Sequence, residues 1–113
     1  MKINSEAILQ KLIDDGYLHR KQGRVYISSG EYWAVEEDVS ITNDPELFLV
    51  IQRALFDECA NRELTFKVVK NKLLVDKYED DGDLGTKIIR LHEGDTSRES
   101  FALAYQKLVG IEL

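Results

Sequence analysis

The strongest structural constraint in the chain is a helix that begins at Asp44-Pro45 and continues to about Asn61. An aspartate can accept hydrogen bonds from the free N–H groups at a helix start, and proline suits the first helical position. Apolar side chains then recur at helical spacing, which predicts that one side of this helix lies at the centre of a core. These side chains are Leu47, Phe48, Ile51, Ala54, Leu55 and Cys59.

Two shorter helices are predicted near the ends of the chain. Ser5 can cap the first, which ends at Gly16, a residue type that readily adopts the left-handed conformation after a helix. The second begins at Thr96 through a capping box with Glu99, and Gly110-Ile111 matches a Schellman ending.

β-rich runs of residues separate the three helices and indicate two hairpins and a further strand. We therefore predict an α+β fold, with three helices on a mostly antiparallel sheet of about five strands, in the order α-β-β-α-β-β-β-α. The predicted strands are 24–27 and 31–35, the latter continuing through 39–41, then 64–69, 73–78 and 86–91, with 79–85 as an acidic loop.

Length and composition favour one soluble domain. The 113 residues fall in the usual size range of a single domain, and 43% of them are hydrophobic, which is ordinary for a globular protein. We therefore expect one α+β domain over residues 1–113. The longest apolar run, Leu47–Ile51, is far too short to span a bilayer, and the charged N-terminal segment lacks the apolar core of a signal peptide. These features predict a cytoplasmic protein that does not enter a membrane.

Charge is the second strong feature of the chain. There are 21 acidic residues against 15 basic ones, for a net charge of −6. The surplus lies in two blocks, residues 31–63 with nine acids and two bases, and residues 78–95 with six acids and two bases. Blocks of charge polarise a surface and steer partners towards it. Because phosphate contacts need positive surface, the overall acidity argues against direct nucleic-acid binding.

No residue pattern in the chain is typical of catalytic or metal chemistry. Cys59 is the only cysteine, which excludes an internal disulfide and a cysteine-based zinc site, and its place on the apolar stripe predicts a buried thiol. His19 and His92 lie far apart in sequence, and the acidic segment 79–83 fits a calcium loop in no register of its glycines. Carboxylates that only the fold brings together stay open as an alternative. We expect a protein that is not an enzyme and that has no metal and no cofactor.

The N-terminal part resembles a DNA-binding family. Residues 8–27, ILQKLIDDGYLHRKQGRVYI, are similar to the last helix and the wing of a winged-helix domain. The resemblance implies a DNA-binding regulator that uses the helix and hairpin at 5–27, with His19, Arg20, Lys21 and Arg24 in the basic hairpin. An ordinary helix followed by a basic hairpin is the alternative.

The latter two thirds of the chain resembles the small phage ABA-sandwich domains. The segment Ser40-Ile41-Thr42-Asn43-Asp44 leads into an amphipathic helix, strands follow, and Asp95-Thr96 leads into a final helix that contains alanines. Those domains have no established enzymatic role, so the resemblance implies a phage-encoded accessory protein.

The acidic segments and one aromatic side chain are the predicted partner-binding residues. Strand alternation turns either Tyr32 or Trp33 outward beside the carboxylates, and an exposed aromatic next to negative charge suits a basic protein surface. A core Trp33, with carboxylates that only solvate a loop, is the alternative. The predicted binding residues are Trp33, Glu36, Glu37, Asp38, Glu79, Asp80, Asp81 and Asp83.

These observations predict a small, acidic, non-enzymatic accessory factor that binds another protein. A concrete form is a phage-encoded inhibitor whose acidic face docks on a basic nucleic-acid-binding protein. The alternatives are the DNA-binding regulator and a structural or oligomeric phage or bacterial protein, for which an exposed hairpin edge would support a homodimer.

Overall fold

A computed structural model of the chain describes residues 3–30, 32–36, 39–80 and 82–111. The predicted α+β fold is confirmed, with three helices and two three-stranded antiparallel sheets. The helices are α1 (Ser5–Asp14), α2 (Pro45–Asn61) and α3 (Arg98–Leu108). The strands are β1 (Leu18–Lys21), β2 (Arg24–Ile27), β3 (Trp33–Val35), β4 (Thr65–Val69), β5 (Lys72–Asp80) and β6 (Thr86–Asp95).

The helix starts are set by short polar side chains. Asp44 caps α2 as predicted, and its Oδ1 accepts a hydrogen bond of 2.9 Å from the N–H of Glu46. The other two predicted caps are each wrong by one residue. Asn4, not Ser5, caps α1, and Ser97, not Thr96, caps α3, because in each case that side chain accepts the hydrogen bond from the free N–H three residues later.

All three helices end in the same hydrogen-bond pattern. After α3, the N–H of Ile111 donates to the carbonyl of Gln106 at 3.0 Å while Gly110 has a φ of 78°, which confirms the predicted Schellman ending. The same pattern follows α1 at Gly16. After α2 the left-handed position is taken by Glu63, with a φ of 56°, so this ending carries no glycine signal in the sequence.

The first sheet contains one strand more than predicted and is separate from the second. Tyr26 lies opposite Trp33, which confirms the hairpin between β2 and β3. The strand that was missed is β1, which pairs with β2 through a turn at Gln22-Gly23, where φ is 53° and 72°. Its sequence, LHRK, has one apolar residue and therefore little strand signal. The order is α-β-β-β-α-β-β-β-α, and the predicted single sheet is corrected to two.

Residues 39–41 do not extend the third strand, contrary to the prediction. Ile41 instead turns into the core, where its side chain is 2% exposed. The backbone here turns towards α2, with the N–H of Asp44 donating to the carbonyl of Ser40 at 3.2 Å. The β-branched side chains of Val39 and Ile41 are partly or fully buried in a loop and do not take part in strand pairing.

The second sheet is a meander of three strands. The predicted hairpin between β4 and β5 is confirmed, and it turns at Lys70-Asn71, where both φ values are positive. β5 and β6 are longer than predicted and pair as far as Asp80 and Thr86. Glu79 and Asp80 therefore belong to a strand, and not to the predicted acidic loop.

All but one of the buried hydrophobic side chains of the described residues form one core cluster; the exception is Leu74. The prediction that α2 lies at its centre is supported by six buried side chains on that helix. Helices α2 and α3 pack against each other and on the second sheet, which contributes Leu73 and Val75. Helix α1 packs on the first sheet, which contributes Leu18 and Val25. Both sheets therefore cover the same core.

Helix α3 and strand β6 meet at a glycine. A Cβ atom added to Gly94 would stand 2.9 Å from Nε2 of His92 and well inside contact distance of the Ser100 hydroxyl oxygen. Only a residue without a side chain allows these two polar groups to approach the strand.

The substitution Gly94→Ala is expected to lower the free energy of unfolding by about 1–3 kcal/mol, because the added methyl group overpacks this contact. Replacing Ser100 by alanine in the same chain should recover part of that loss, since it removes the nearest clashing atom. Urea denaturation of the single and double variants measures both effects. Gly30→Ala is the control, because a Cβ at Gly30 meets nothing within 4 Å; equal stability of Gly94→Ala and Gly30→Ala would contradict the prediction.

Candidate functional site

The far end of the β5–β6 hairpin extends beyond the core and carries part of the predicted acidic site. We call residues 77–80 and 82–89 the hairpin arm; none of its described side chains belongs to the core or packs against it. The arm adds about 13 Å of paired strand at the usual rise per residue, and the described molecule is 57 Å long but only 25 Å wide. The arm is therefore accessible to a partner from both faces.

Three of the predicted acidic residues lie at the end of the hairpin arm. Glu79 forms an ion pair with Lys77, with Nζ and Oε1 3.2 Å apart. Asp80 accepts a hydrogen bond of 3.1 Å from the N–H of Gly82 and so holds the turn. Asp83 is exposed in the short 3-10 turn that follows. Asp81 lies outside the described residues.

The hairpin arm begins at a fully covered carboxylate. Asp76 is 0% exposed, and its two oxygens accept hydrogen bonds from the guanidinium of Arg90 at 2.7 and 3.2 Å. The Nζ atom of Lys67, on β4, lies 3.6 Å from Oδ2 of Asp76. The hydrogen bonds from Arg90 hold the pKa of Asp76 below its usual range, against the opposing effect of burial. The charge of Asp76 is thus neutralised within the sheet and is not offered to a partner.

The other part of the predicted site lies in the first sheet. Glu36 pairs with Arg20, whose Nε lies 2.8 Å and whose Nη2 lies 2.7 Å from the same carboxylate oxygen. Trp33 is 48% exposed, which favours the outward orientation over a core position. Its indole ring is covered on one side by the guanidinium of Arg24, 4.2 Å from the ring centre. Glu37 and Asp38 lie outside the described residues.

The predicted binding residues therefore fall on two sheets. The hairpin arm brings Glu79, Asp80 and Asp83 together, while Trp33 and Glu36 lie in the first sheet next to arginines. The blocks of charge in the sequence predicted a polarised surface. They did not show which carboxylates would form ion pairs with basic side chains.

The helix and hairpin at 5–27 have the order expected of a helix and wing, but the charges are mixed. The exposed side of α1 includes Glu6 and Asp14, which suit a phosphate backbone poorly. Arg20 is held by Glu36 and by Gln10, whose side-chain oxygen lies 3.1 Å from Nη1. Within this helix and hairpin, Lys21 and Arg24 point away from α1. They are the two cations that form no ion pair with a described carboxylate.

A buried histidine and serine lie within hydrogen-bond distance, an arrangement that can mark a nucleophile. The ammonium of Lys107 lies 3.1 Å from Nδ1 of His92 and has only protons to donate, so Nδ1 accepts. The ring proton is then on Nε2, which donates to the hydroxyl oxygen of Ser100 at 3.1 Å. A serine nucleophile requires the opposite, an imidazole that takes the hydroxyl proton. This cluster joins β6 to α3 and does not activate Ser100.

The described part of the chain has a buried thiol and no group of carboxylates that could hold a metal ion. Cys59 is buried as predicted, and burial raises its pKa to about 11, which leaves little thiolate at neutral pH. Among the described residues, no group of three histidine, cysteine or acidic side chains could hold a metal ion. No helix in this part of the chain is long and apolar enough to cross a membrane.

One buried hydroxyl has no protein partner. The side chain of Tyr105 is 1% exposed, and among the described residues its Oη is the one buried side-chain polar atom without a hydrogen bond. The Tyr105 side chain lies beside a polar cleft of about 320 Å³, which Tyr17 and Asp57 also line and where their side chains are hydrogen-bonded to each other.

Comparisons of the chain with protein-family models, with curated proteins and with solved structures found no match. Its function is therefore argued from the residues and surfaces described above.

The structure also shows an exposed face that the sequence reasoning missed. The side chains of His19, Tyr26 and Trp33 lie opposite one another on the three strands of the first sheet. Alternation within each short strand indicates which side chains share a face. The three side chains become neighbours only through the register of β1, which the predicted strand order did not include.

The buried histidine makes stability depend on pH above the range in which carboxylates titrate. Burial, with a smaller effect from the charge of Lys107, lowers the pKa of His92 to about 4. In the unfolded chain a histidine has a pKa of about 6.5. The unfolded state therefore binds more protons between these values, and stability falls as pH falls. We expect a loss of about 1–2 kcal/mol in the free energy of unfolding from pH 7 to pH 5.

Urea denaturation at both pH values tests this expectation. His92→Gln should reduce the difference between pH 7 and pH 5, whatever its effect on absolute stability. His19→Gln, which removes the other histidine from an exposed strand position, is the control. A difference that survives in His92→Gln would show that another group is responsible.

Proposed function

We propose that this chain is a small non-enzymatic accessory protein that binds another protein through the acidic end of its hairpin arm. The observation that carries the proposal is the exposure of Asp80 and Asp83 at the end of a hairpin that has left the core. The partner surface is basic, and a nucleic-acid-binding enzyme supplies such a surface in the groove that normally holds phosphates.

The shape of the arm supports this mode of binding. A paired hairpin is stiffer than a loop, so docking costs less ordering entropy than it would for a flexible acidic tail. Tyr78 and Ile88 lie opposite each other on one face of the arm and are 43% and 55% exposed. They can supply apolar contact behind the charged end, where charge guides the approach and buried aromatic area adds affinity.

The polar clusters of the molecule support a non-enzymatic role. The bonding of His92 to Lys107 and Ser100 has the wrong polarity for nucleophilic catalysis. Asp76 is neutralised by Arg90. The resemblance of the latter part of the chain to phage ABA-sandwich domains supports a phage-encoded factor whose partner would be a host enzyme.

Reversal of the charges at the end of the arm should abolish partner capture. The variant Glu79→Lys with Asp83→Lys changes the charge by +4 and leaves Asp80, which holds the turn, in place. Tagged protein is used to capture partners from host lysate at low and high salt, with identification by mass spectrometry. We expect a basic protein to be captured by the natural chain at low salt, lost at high salt, and lost from the variant at both.

The matched control carries the same charge change elsewhere. Asp14→Lys with Glu63→Lys alters two exposed carboxylates outside the arm and should retain the partner. Equal capture by the arm variant and the natural chain would contradict the proposal. Recovery of this protein alone would favour self-assembly, for which the hairpin arm offers unpaired strand edges.

A further inference from the structure

The first sheet has an outer face that no helix covers. Strand alternation puts Leu18 and Val25 on the inner face, where they are buried in the core. The opposite side chains point away from α1, and none of them belongs to the core or packs against it. We call these the outer face: His19, Lys21, Arg24, Tyr26, Trp33 and Val35.

Three rings form a row across the outer face, one from each strand. The register places His19 opposite Tyr26 and Tyr26 opposite Trp33. The rings of His19 and Tyr26 are stacked, with centres 5.1 Å apart and planes 8° from parallel. Neighbouring strands are about 4.8 Å apart, so the row extends over about 10 Å, which two or three nucleotide bases can cover.

Two cations form the next row on the same face. Lys21 lies opposite Arg24, which lies opposite Val35 at the third strand. Both cations are exposed, and neither forms an ion pair with a carboxylate of the described residues. Arg24 is instead held flat against the indole of Trp33 at 4.2 Å. Lys21 thus lies on the strand at the His19 end of the ring row, and the guanidinium of Arg24 lies at its Trp33 end.

No described carboxylate lies on the outer face. Glu36, which follows β3, is bonded to Arg20, and strand alternation places Arg20 on the other side of the sheet from Lys21. The six residues of the outer face therefore carry two positive charges and no negative one, in a chain whose net charge is −6. Flat rings together with unpaired cations are the chemistry that binds bases and phosphates, respectively.

We propose that the outer face of the first sheet binds single-stranded nucleic acid. Bases stack on the ring faces that the contact between His19 and Tyr26 and the guanidinium over Trp33 leave open, and phosphates contact Lys21 and Arg24. Single strands fit because their bases are free to stack, whereas the bases of a duplex are paired and stacked on one another. The proposal does not rest on the hairpin arm, which belongs to the other sheet.

The acidity of the whole chain limits the strength of this binding and does not exclude it. The expectation of no direct nucleic-acid binding was drawn from net charge, whereas a ligand meets the local field of the surface that it contacts. Two phosphate contacts release few counterions. For a single strand, the logarithm of the association constant should fall against the logarithm of salt concentration with a slope of about −1.4.

The only tryptophan of the chain lies in the proposed site and reports on binding directly. Oligouridylate and oligothymidylate of about ten nucleotides are titrated into the protein at several salt concentrations, and a duplex of the same length serves as the comparison. Stacking of a base on the indole is expected to quench the emission of Trp33. Fluorescence anisotropy of labelled oligonucleotides gives the Kd independently, and the two oligonucleotides show whether RNA or DNA is preferred.

Ring variants separate stacking from charge. Trp33→Ala is expected to raise the Kd about ten-fold, and Trp33→Phe, which keeps a ring, should raise it less. Phe56→Ala removes an aromatic side chain of similar exposure, 46% against 48% for Trp33, from α2 and should leave the Kd unchanged. Circular dichroism and thermal melting confirm that each variant is folded before its affinity is compared.

Charge variants test the phosphate contacts. Lys21→Gln with Arg24→Gln should weaken binding and bring the salt slope close to zero. Lys72→Gln with Lys87→Gln makes the same charge change on exposed positions of the second sheet and should keep the slope.

Three results would overturn the proposal. The first is no quenching and no anisotropy change with either oligonucleotide at millimolar concentration. The second is duplex binding as tight as single-strand binding, which would favour groove binding by the β1–β2 hairpin. The third is binding that Trp33→Ala leaves intact, since the ring row would then have no part in it.

Discussion

The covered carboxylate of Asp76 fixes the point where the second sheet changes from a layer of the core into a projecting arm. From Leu73 to Asp76, β5 is buried, and Leu73 and Val75 belong to the core; beyond Asp76, its side chains are exposed or only half-buried. A β-bulge lies at this step, because Val75 pairs with His92 while Asp76 pairs with Arg90, so that Leu91 has no opposite residue. Bulges bend a strand and increase its twist. The ion pair between Asp76 and Arg90 joins the two strands at the bulge. The bulge and the ion pair together set the direction of the arm.

The same ion pair has a second consequence for the surface. A carboxylate covered from solvent is costly unless its oxygens are fully bonded, and Arg90 satisfies both of them from the opposite strand. Asp76, which lies just before the acidic block 78–95, is thus balanced by a base of that block, as Glu36 is balanced by Arg20. At the end of the arm, Asp80 and Asp83 form no ion pair with a described residue, so their exposed carboxylates keep their charge.

The sequence predicted the parts of the fold whose signals are local. The start of α2 follows from Asp44-Pro45, and the β4–β5 hairpin from two β-rich runs around a short polar turn. The division into two sheets could not be predicted, because β1 contains a single buried residue and its turn at Gln22-Gly23 uses a left-handed glutamine. The bulge at Asp76 depends on a pairing partner fourteen residues away and has no local signal.

The candidate surfaces were predictable to the extent that charge alone defines them. The acidic end of the arm follows from the composition of residues 79–83, but the outer face of the first sheet does not. Its rings are distributed over three short strands, and only Trp33 was a predicted partner-binding residue. Only the register makes His19, Tyr26 and Trp33 neighbours, and only the fold turns Lys21 and Arg24 to the same side.

A net charge of −6 and a positive face are compatible because charges act over a limited distance. At physiological ionic strength the Debye length is about 8 Å, so exposed charges on the hairpin arm are screened from the far side of a molecule 57 Å long. What remains at the outer face is the field of its own residues, two cations without a carboxylate among them. The two proposed surfaces would therefore attract ligands of opposite charge, because neither cancels the field of the other.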